Sequence, residues 1–91
     1  MVVTLEEMKQ YLRVDFEDDD LILASLISAA EKLCMDVARC EDTEVFAQEK
    51  NAKIAVMYAV AYWYEHREKA DHQELTLSLR ALLFGIRKEA S

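Results

Sequence analysis

The chain has 91 residues, room for one domain but too little for a doubly wound dinucleotide-binding sheet or an eight-stranded barrel enzyme. It has no proline and one glycine, Gly85, with 53% hydrophobic and 32% charged residues, a helix-forming composition that lacks the turn residues of an all-β sandwich. A formal charge of −7 opposes sequence-independent nucleic-acid binding, which needs clustered lysine and arginine.

The expected architecture is all-α: a single helical domain over residues 1–91, built as a small bundle of four or five helices around a long buried central one. Thr4-Leu5-Glu6-Glu7 reads as a capping box that opens a helix over residues 5–12, with Leu5, Met8 and Leu12 inward and Tyr11 as a further candidate. Residues 14–17 connect. Asp18, Asp19 and Asp20 then precede Leu21-Ile22-Leu23, placing carboxylates where a helix start leaves unpaired amides and partial positive charge. The acidic run lacks the spaced ligands, turn glycine and closing glutamate of an EF-hand, so capping is preferred to metal binding.

The second helix is expected over residues 19–39. Ile22, Leu26, Ala29, Leu33 and Val37 form one apolar stripe, and Leu23, Ile27, Ala30 and Cys34 form another beside it. A helix apolar over so much of its girth either lies between two neighbours or shows its spare side to another subunit. Asp42 or Thr43 caps the third helix, expected over residues 45–69 and about 37 Å long. Residues 54–64 are apolar all round and define the buried axis. Residues 71–74 read as a loop, and a last helix over 75–88 carries Leu79, Leu82, Leu83 and Ile86 inward, with Gly85 weakening its end.

The N-terminus shows no basic-then-apolar export pattern, and the longest uncharged apolar run, residues 54–64, is far short of the roughly 20 residues of a membrane span. Cys34 and Cys40 are six positions apart on a helical stretch and point to different faces, which suits reduced thiols in a cytosolic protein. One glycine builds no phosphate-binding loop. His66 and His72 have neither metal-ligand spacing nor a third group to complete a catalytic set. Cys34 reads as core, and the acids of residues 18–20 and 65–68 read as solvated rather than as general acids. Tyr58, Tyr62, Trp63 and Tyr64 suggest stacking on bases, but Arg67 and Lys69 are offset by Glu65 and Glu68; the rings read mainly as core, with Trp63 or Tyr64 reaching a partner. No catalytic, metal-binding or cofactor-binding residue is assigned, and no cofactor or enzymatic activity is expected.

Residues 1–45 carry 12 acids and four bases, whereas 46–91 carry six acids and seven bases. Solubility alone accounts for such a charge, but the asymmetry also suits contact between the front of one copy and the back of another.

Three segments carry a likeness: TLEEMKQYLRVDFEDDDLILASLISAAEKL, AVAYWYEHRE and LRALLFGIR. In order and spacing they resemble the head-completion adaptors, or head-to-tail connectors, of tailed double-stranded DNA bacteriophages. The strongest elements are YLRVD before the acidic helix start, the run of Trp63, Tyr64 and Arg67, and the ending at Leu82, Leu83 and Arg87. The resemblance implies a noncatalytic subunit of a homo-oligomeric ring, dodecameric in the virion by that likeness, beneath the portal. It completes the DNA-filled head and offers a platform to the next neck or tail-completion protein; DNA only passes through, and no membrane is involved. It further implies residence in the virion neck, and in the host bacterial cytoplasm during assembly. Trp63, Tyr64, Arg67, Leu82, Leu83 and Arg87 are the candidates for the core or the subunit contact, with Arg67 suited to a carboxylate on helix two or on a neighbour. Asp18, Asp19, Asp20, Glu41, Asp42 and Glu44 are candidate channel-facing acids that repel phosphate. Two features depart from the family pattern: no proline precedes the last helix, and no glycine follows the second.

A small acidic helical regulatory or partner-binding module explains charge and helicity equally well but leaves those runs unexplained. A small hydrolase using His66 or His72 has the least support.

Overall fold

A computed structural model of the chain describes residues 2–66 and 69–84. Among them are five helices in the order α1 (Leu5–Leu12), α2 (Asp20–Ala38), α3 (Thr43–Gln48), α4 (Lys50–Glu65) and α5 (His72–Leu82).

The capping box forms as expected. Thr4 Oγ1 accepts from the Glu7 amide and Glu7 Oε1 accepts from the Thr4 amide, each at 3.1 Å. The other Glu7 oxygen accepts from Lys53 Nζ, which ties α1 to α4. α1 ends at Arg13 and α2 at Arg39, both in the left-handed region with φ of 60° and 56°. Bonds from Val14 N to Lys9 O (2.9 Å) and from Cys40 N to Met35 O (3.0 Å) close both ends, in the manner usually served by glycine. The missing glycine after α2 is therefore replaced by a strained arginine, at about 1 kcal/mol.

The acidic run does not act as a cap. Asp19 occupies the N-cap of α2 without a side-chain capping bond. Asp20 instead pairs with Lys9 Nζ at 2.8 Å, and Asp19 Oδ2 accepts from Tyr64 Oη at 2.6 Å. Tertiary partners on α1 and α4 outcompete the local amides. Asp42 does cap α3, accepting from the amides of Glu44 and Val45.

The expected third helix is broken. Glu49, extended at φ −81° and ψ 129°, ends α3 and begins α4, so α4 is about 24 Å long rather than 37 Å. In an unbroken helix Phe46 would lie about 120° around from Ala52, off the buried stripe. The break turns Phe46 inward, where it is fully buried. α5 begins at His72, earlier than expected, because Asp71 caps it by accepting from the Glu74 amide at 3.1 Å. α5 ends at Leu82 with Leu83 as its C-cap, short of the expected residue 88; Gly85 and Ile86 fall outside the described residues.

α4 packs against each of the other four helices, most extensively α2. Tyr64 near the end of α4 meets Asp19 at the start of α2, so the two run antiparallel. Their seam is made of small and branched side chains: Leu23, Ile27, Ala30, Cys34 and Ala38 on α2; Ala52, Ala55, Val56, Ala59 and Val60 on α4. Val3, Met8, Leu75, Leu79 and Leu83 complete the core, and the Val2 amide donates to Glu31 Oε2 at 2.9 Å, fastening the N-terminal segment to α2. α4 is not buried all round: Ile54 and Tyr58 are exposed. It also carries no acid in its first turn and no base in its last, so Lys50 and Glu65 stand against its macrodipole, each at about 0.3–1 kcal/mol.

Two outcomes are expected. Arg39→Gly relieves the left-handed strain and raises stability by about 1 kcal/mol in urea unfolding. Glu7 titrates below 4.5, chiefly because Lys53 bonds its carboxylate, with the Thr4 amide adding to the effect. A carboxyl lowered on folding stabilises above its unfolded pKa and loses that contribution as pH falls through its folded one. Lys53→Met therefore moves the NMR-titrated Glu7 value back up toward 4.5.

Candidate interaction surfaces

The aromatic run of α4 does not fill the core. Tyr62, Trp63 and Tyr64 are half-buried against its margin, and Tyr58 is exposed. Alanines occupy the α2–α4 seam, and helices brought close by small residues leave no room for rings between them. Each ring has a separate task. Tyr64 holds the start of α2 through Asp19. Tyr62 Oη accepts from the Asp71 amide at 2.9 Å, holding the α4–α5 connection, and its ring stacks on His66 with centroids 4.4 Å apart. Trp63 lines an open apolar groove of about 430 Å³ with Ile22, Leu26 and Ala29 of α2 and with His66 and Ala70.

A second apolar groove, of about 390 Å³, lies on the other side of α4. Ile54, Met57 and Tyr58 form its α4 wall, Ala81 and Leu82 its α5 wall, and Tyr11 of α1 its end. Tyr11 is 55% exposed and does not join the inward stripe of α1. Ile54 and Trp63 are nine residues apart, about two and a half turns, and so project from opposite sides of the helix. On α2 the stripe of Leu23, Ile27, Ala30 and Cys34 faces inward, while Ile22 is 44% exposed and Leu26 and Leu33 are half-buried. The broad apolar girth of α2 thus becomes one core face and one outward face.

The six contact candidates separate accordingly. Leu83 is fully buried beside Leu75 and Leu79 and belongs to the core. Leu82 and Trp63 line opposite grooves, and Tyr64 serves an internal tie. Arg67 and Arg87 lie outside the described residues. The acid candidates stand at the two ends of α2, about 28 Å apart: Asp18, Asp19 and Asp20 before it; Glu41, Asp42 and Glu44 after it. Sequence reasoning missed Ile22, Ile54 and Tyr11 as exposed apolar groups. Their only signal was an apolar stripe wider than one neighbour covers.

Among the described residues, chemically reactive groups are not gathered. Cys34 is buried, and burial pushes its thiol up to about 12, which holds it protonated and unreactive. Cys40 is also a free thiol, its Sγ donating to the Asp42 carbonyl. His66 is exposed on its tyrosine, and His72 is exposed at the start of α5. Among the described residues no three His, Cys, Asp or Glu side chains are grouped to hold a metal, and no helix is long and apolar enough to cross a membrane.

Fold and surface together define a small all-α interaction module with apolar faces on two sides of one central helix. The chain matches the model of the phage gp6-like head-tail connector proteins over residues 2–91 and belongs to that family, whose members are structural parts. No curated protein and no solved structure matches it.

Removing the Tyr64 hydroxyl takes one charge-assisted hydrogen bond from the half-buried Asp19 carboxylate. Tyr64→Phe is expected to lower stability by about 2 kcal/mol in urea unfolding, with helicity retained in circular dichroism.

Proposed function

We propose that this connector, acting as one helical adaptor domain over residues 1–91, is a subunit of a homo-oligomeric ring beneath the portal. The ring, dodecameric by family likeness, completes the DNA-filled head and offers a platform to the next neck or tail-completion protein. Its place is the virion neck, reached from the host bacterial cytoplasm during assembly. DNA passes through without being held, and the role is structural rather than catalytic.

The observation that carries this reading is the pair of apolar grooves on opposite sides of α4. A ring needs two different surfaces on each subunit, one for each neighbour, and a lone globule has no use for either. The alternative, a small acidic regulatory module, accounts for one such surface at most. Asp19, Asp20 and Asp42 hold Tyr64, Lys9 and the first amides of α3, so we assign the channel wall to the exposed Asp18, Glu41 and Glu44.

Sedimentation velocity and native mass measurement, on the protein alone and with its portal, test the ring. Closed oligomers are expected in at least one condition. A protein that stays monomeric in both is not a ring subunit.

A further inference from the structure

The connection between α1 and α2 is tied down along its length. The Val14 amide donates to the Lys9 carbonyl at 2.9 Å, and the Val14 side chain is buried. The Asp20 amide donates to the Glu17 carbonyl at 3.1 Å, closing a turn over residues 17–20, while Tyr64 and Lys9 hold the side chains of Asp19 and Asp20. Phe16 and Leu21 stand at the two feet of that turn, and both face water, 51% and 85% exposed. Leu21 lies in the first turn of α2, where an exposed position gains from an acid and nothing from leucine. Asp15 and Glu17 flank Phe16 and have no side-chain partner among the described residues. Between Lys9 and Glu31 the chain holds five acids and one base, Arg13. The segment is a fixed apolar knob with an acidic rim, its shape set before anything binds.

We propose that Phe16 and Leu21 dock into an apolar socket, rimmed by lysine or arginine, on the protein stacked against one end of the ring. This assignment rests on the ring reading above and adds which residues meet the axial neighbour. With Asp18 before α2 and Glu41 and Glu44 beyond its other end, about 28 Å away, all on the channel wall, α2 runs along the channel. In a ring of many copies each holds too narrow a strip of wall for such a helix to lie around it. Residues 13–21 are then at an end of the ring, with Asp18 toward the channel and Phe16 and Leu21 at the rim, where the neighbour is the portal or the next neck protein and not a sister subunit. Charge also points away from a sister: the apolar grooves on the two sides of α4 have no lysine or arginine in their linings, so a second copy offers no basic rim there to Asp15 and Glu17.

The test uses the full chain with the purified portal and the purified next neck protein, reading self-assembly by sedimentation velocity and partner binding by titration. Phe16→Ser and Leu21→Ser remove apolar surface that is already wet, so both are expected to keep the melting temperature and the oligomers of wild type. Each weakens binding to one of the two partners about tenfold or more, while Phe16→Leu, which keeps an apolar anchor, loses about threefold or less. Asp15→Asn combined with Glu17→Gln weakens the same binding about threefold to tenfold and flattens its dependence on sodium chloride. Unchanged binding of both partners by the two serine variants overturns the knob and leaves the ring standing. Serine variants that fold but lose the wild-type oligomers assign the loop to the contact between sisters and also overturn it. Unchanged binding and salt dependence in the double charge variant overturn the basic socket. Wild type that stays monomeric, alone and with the portal, overturns the ring and the knob together.

Discussion

The close antiparallel packing of α2 on α4 is the constraint on which the rest of the molecule depends. Ala30 and Ala38 on one helix and Ala52, Ala55 and Ala59 on the other keep the seam narrow, and Leu23, Ile27, Val56 and Val60 fill it. A chain of this size removes only about 60–65% of its unfolded surface from water, so it cannot spread its apolar residues over several layers. It builds one tight seam and places short elements around it. α1, α3 and α5 each add one or two anchors, such as Met8, Phe46, Leu75 and Leu79.

A seam narrowed by alanines displaces large side chains outward. The rings of α4 move to its margins, where Tyr64 and Tyr62 use their hydroxyls to fasten the start of α2 and the α4–α5 connection. Trp63, Ile54 and Tyr58 are left with one side wet. The carboxylates beside them follow the same logic. Asp19 and Asp20 reach across to Tyr64 and Lys9 because fixed partners on packed helices outlast the fraying amides of a helix start.

What results is a thin helical body with much apolar surface left outside its core. Two open apolar faces lie on opposite sides of this body, which has extents of 41 × 27 × 17 Å. The structural role comes from membership in the gp6-like head-tail connector family.

Much was legible in the residues. Absence of proline, scarcity of glycine and 3.6-residue periodicity sufficed for an all-α class, and Thr4 with Glu7 placed α1 to the residue, because capping is local chemistry. The excess girth of α2 announced an outward face, but not which stripe it was; two adjacent stripes of equal apolarity become unequal only when α4 settles on one. The break at Glu49 was also beyond sequence, since no proline or glycine marks it and the burial of Phe46 that accompanies it is a matter of tertiary packing. The opposite placement of Ile54 and Trp63 follows from spacing, yet their exposure does not: a periodic pattern records which residues share a side, and only packing decides which side meets water.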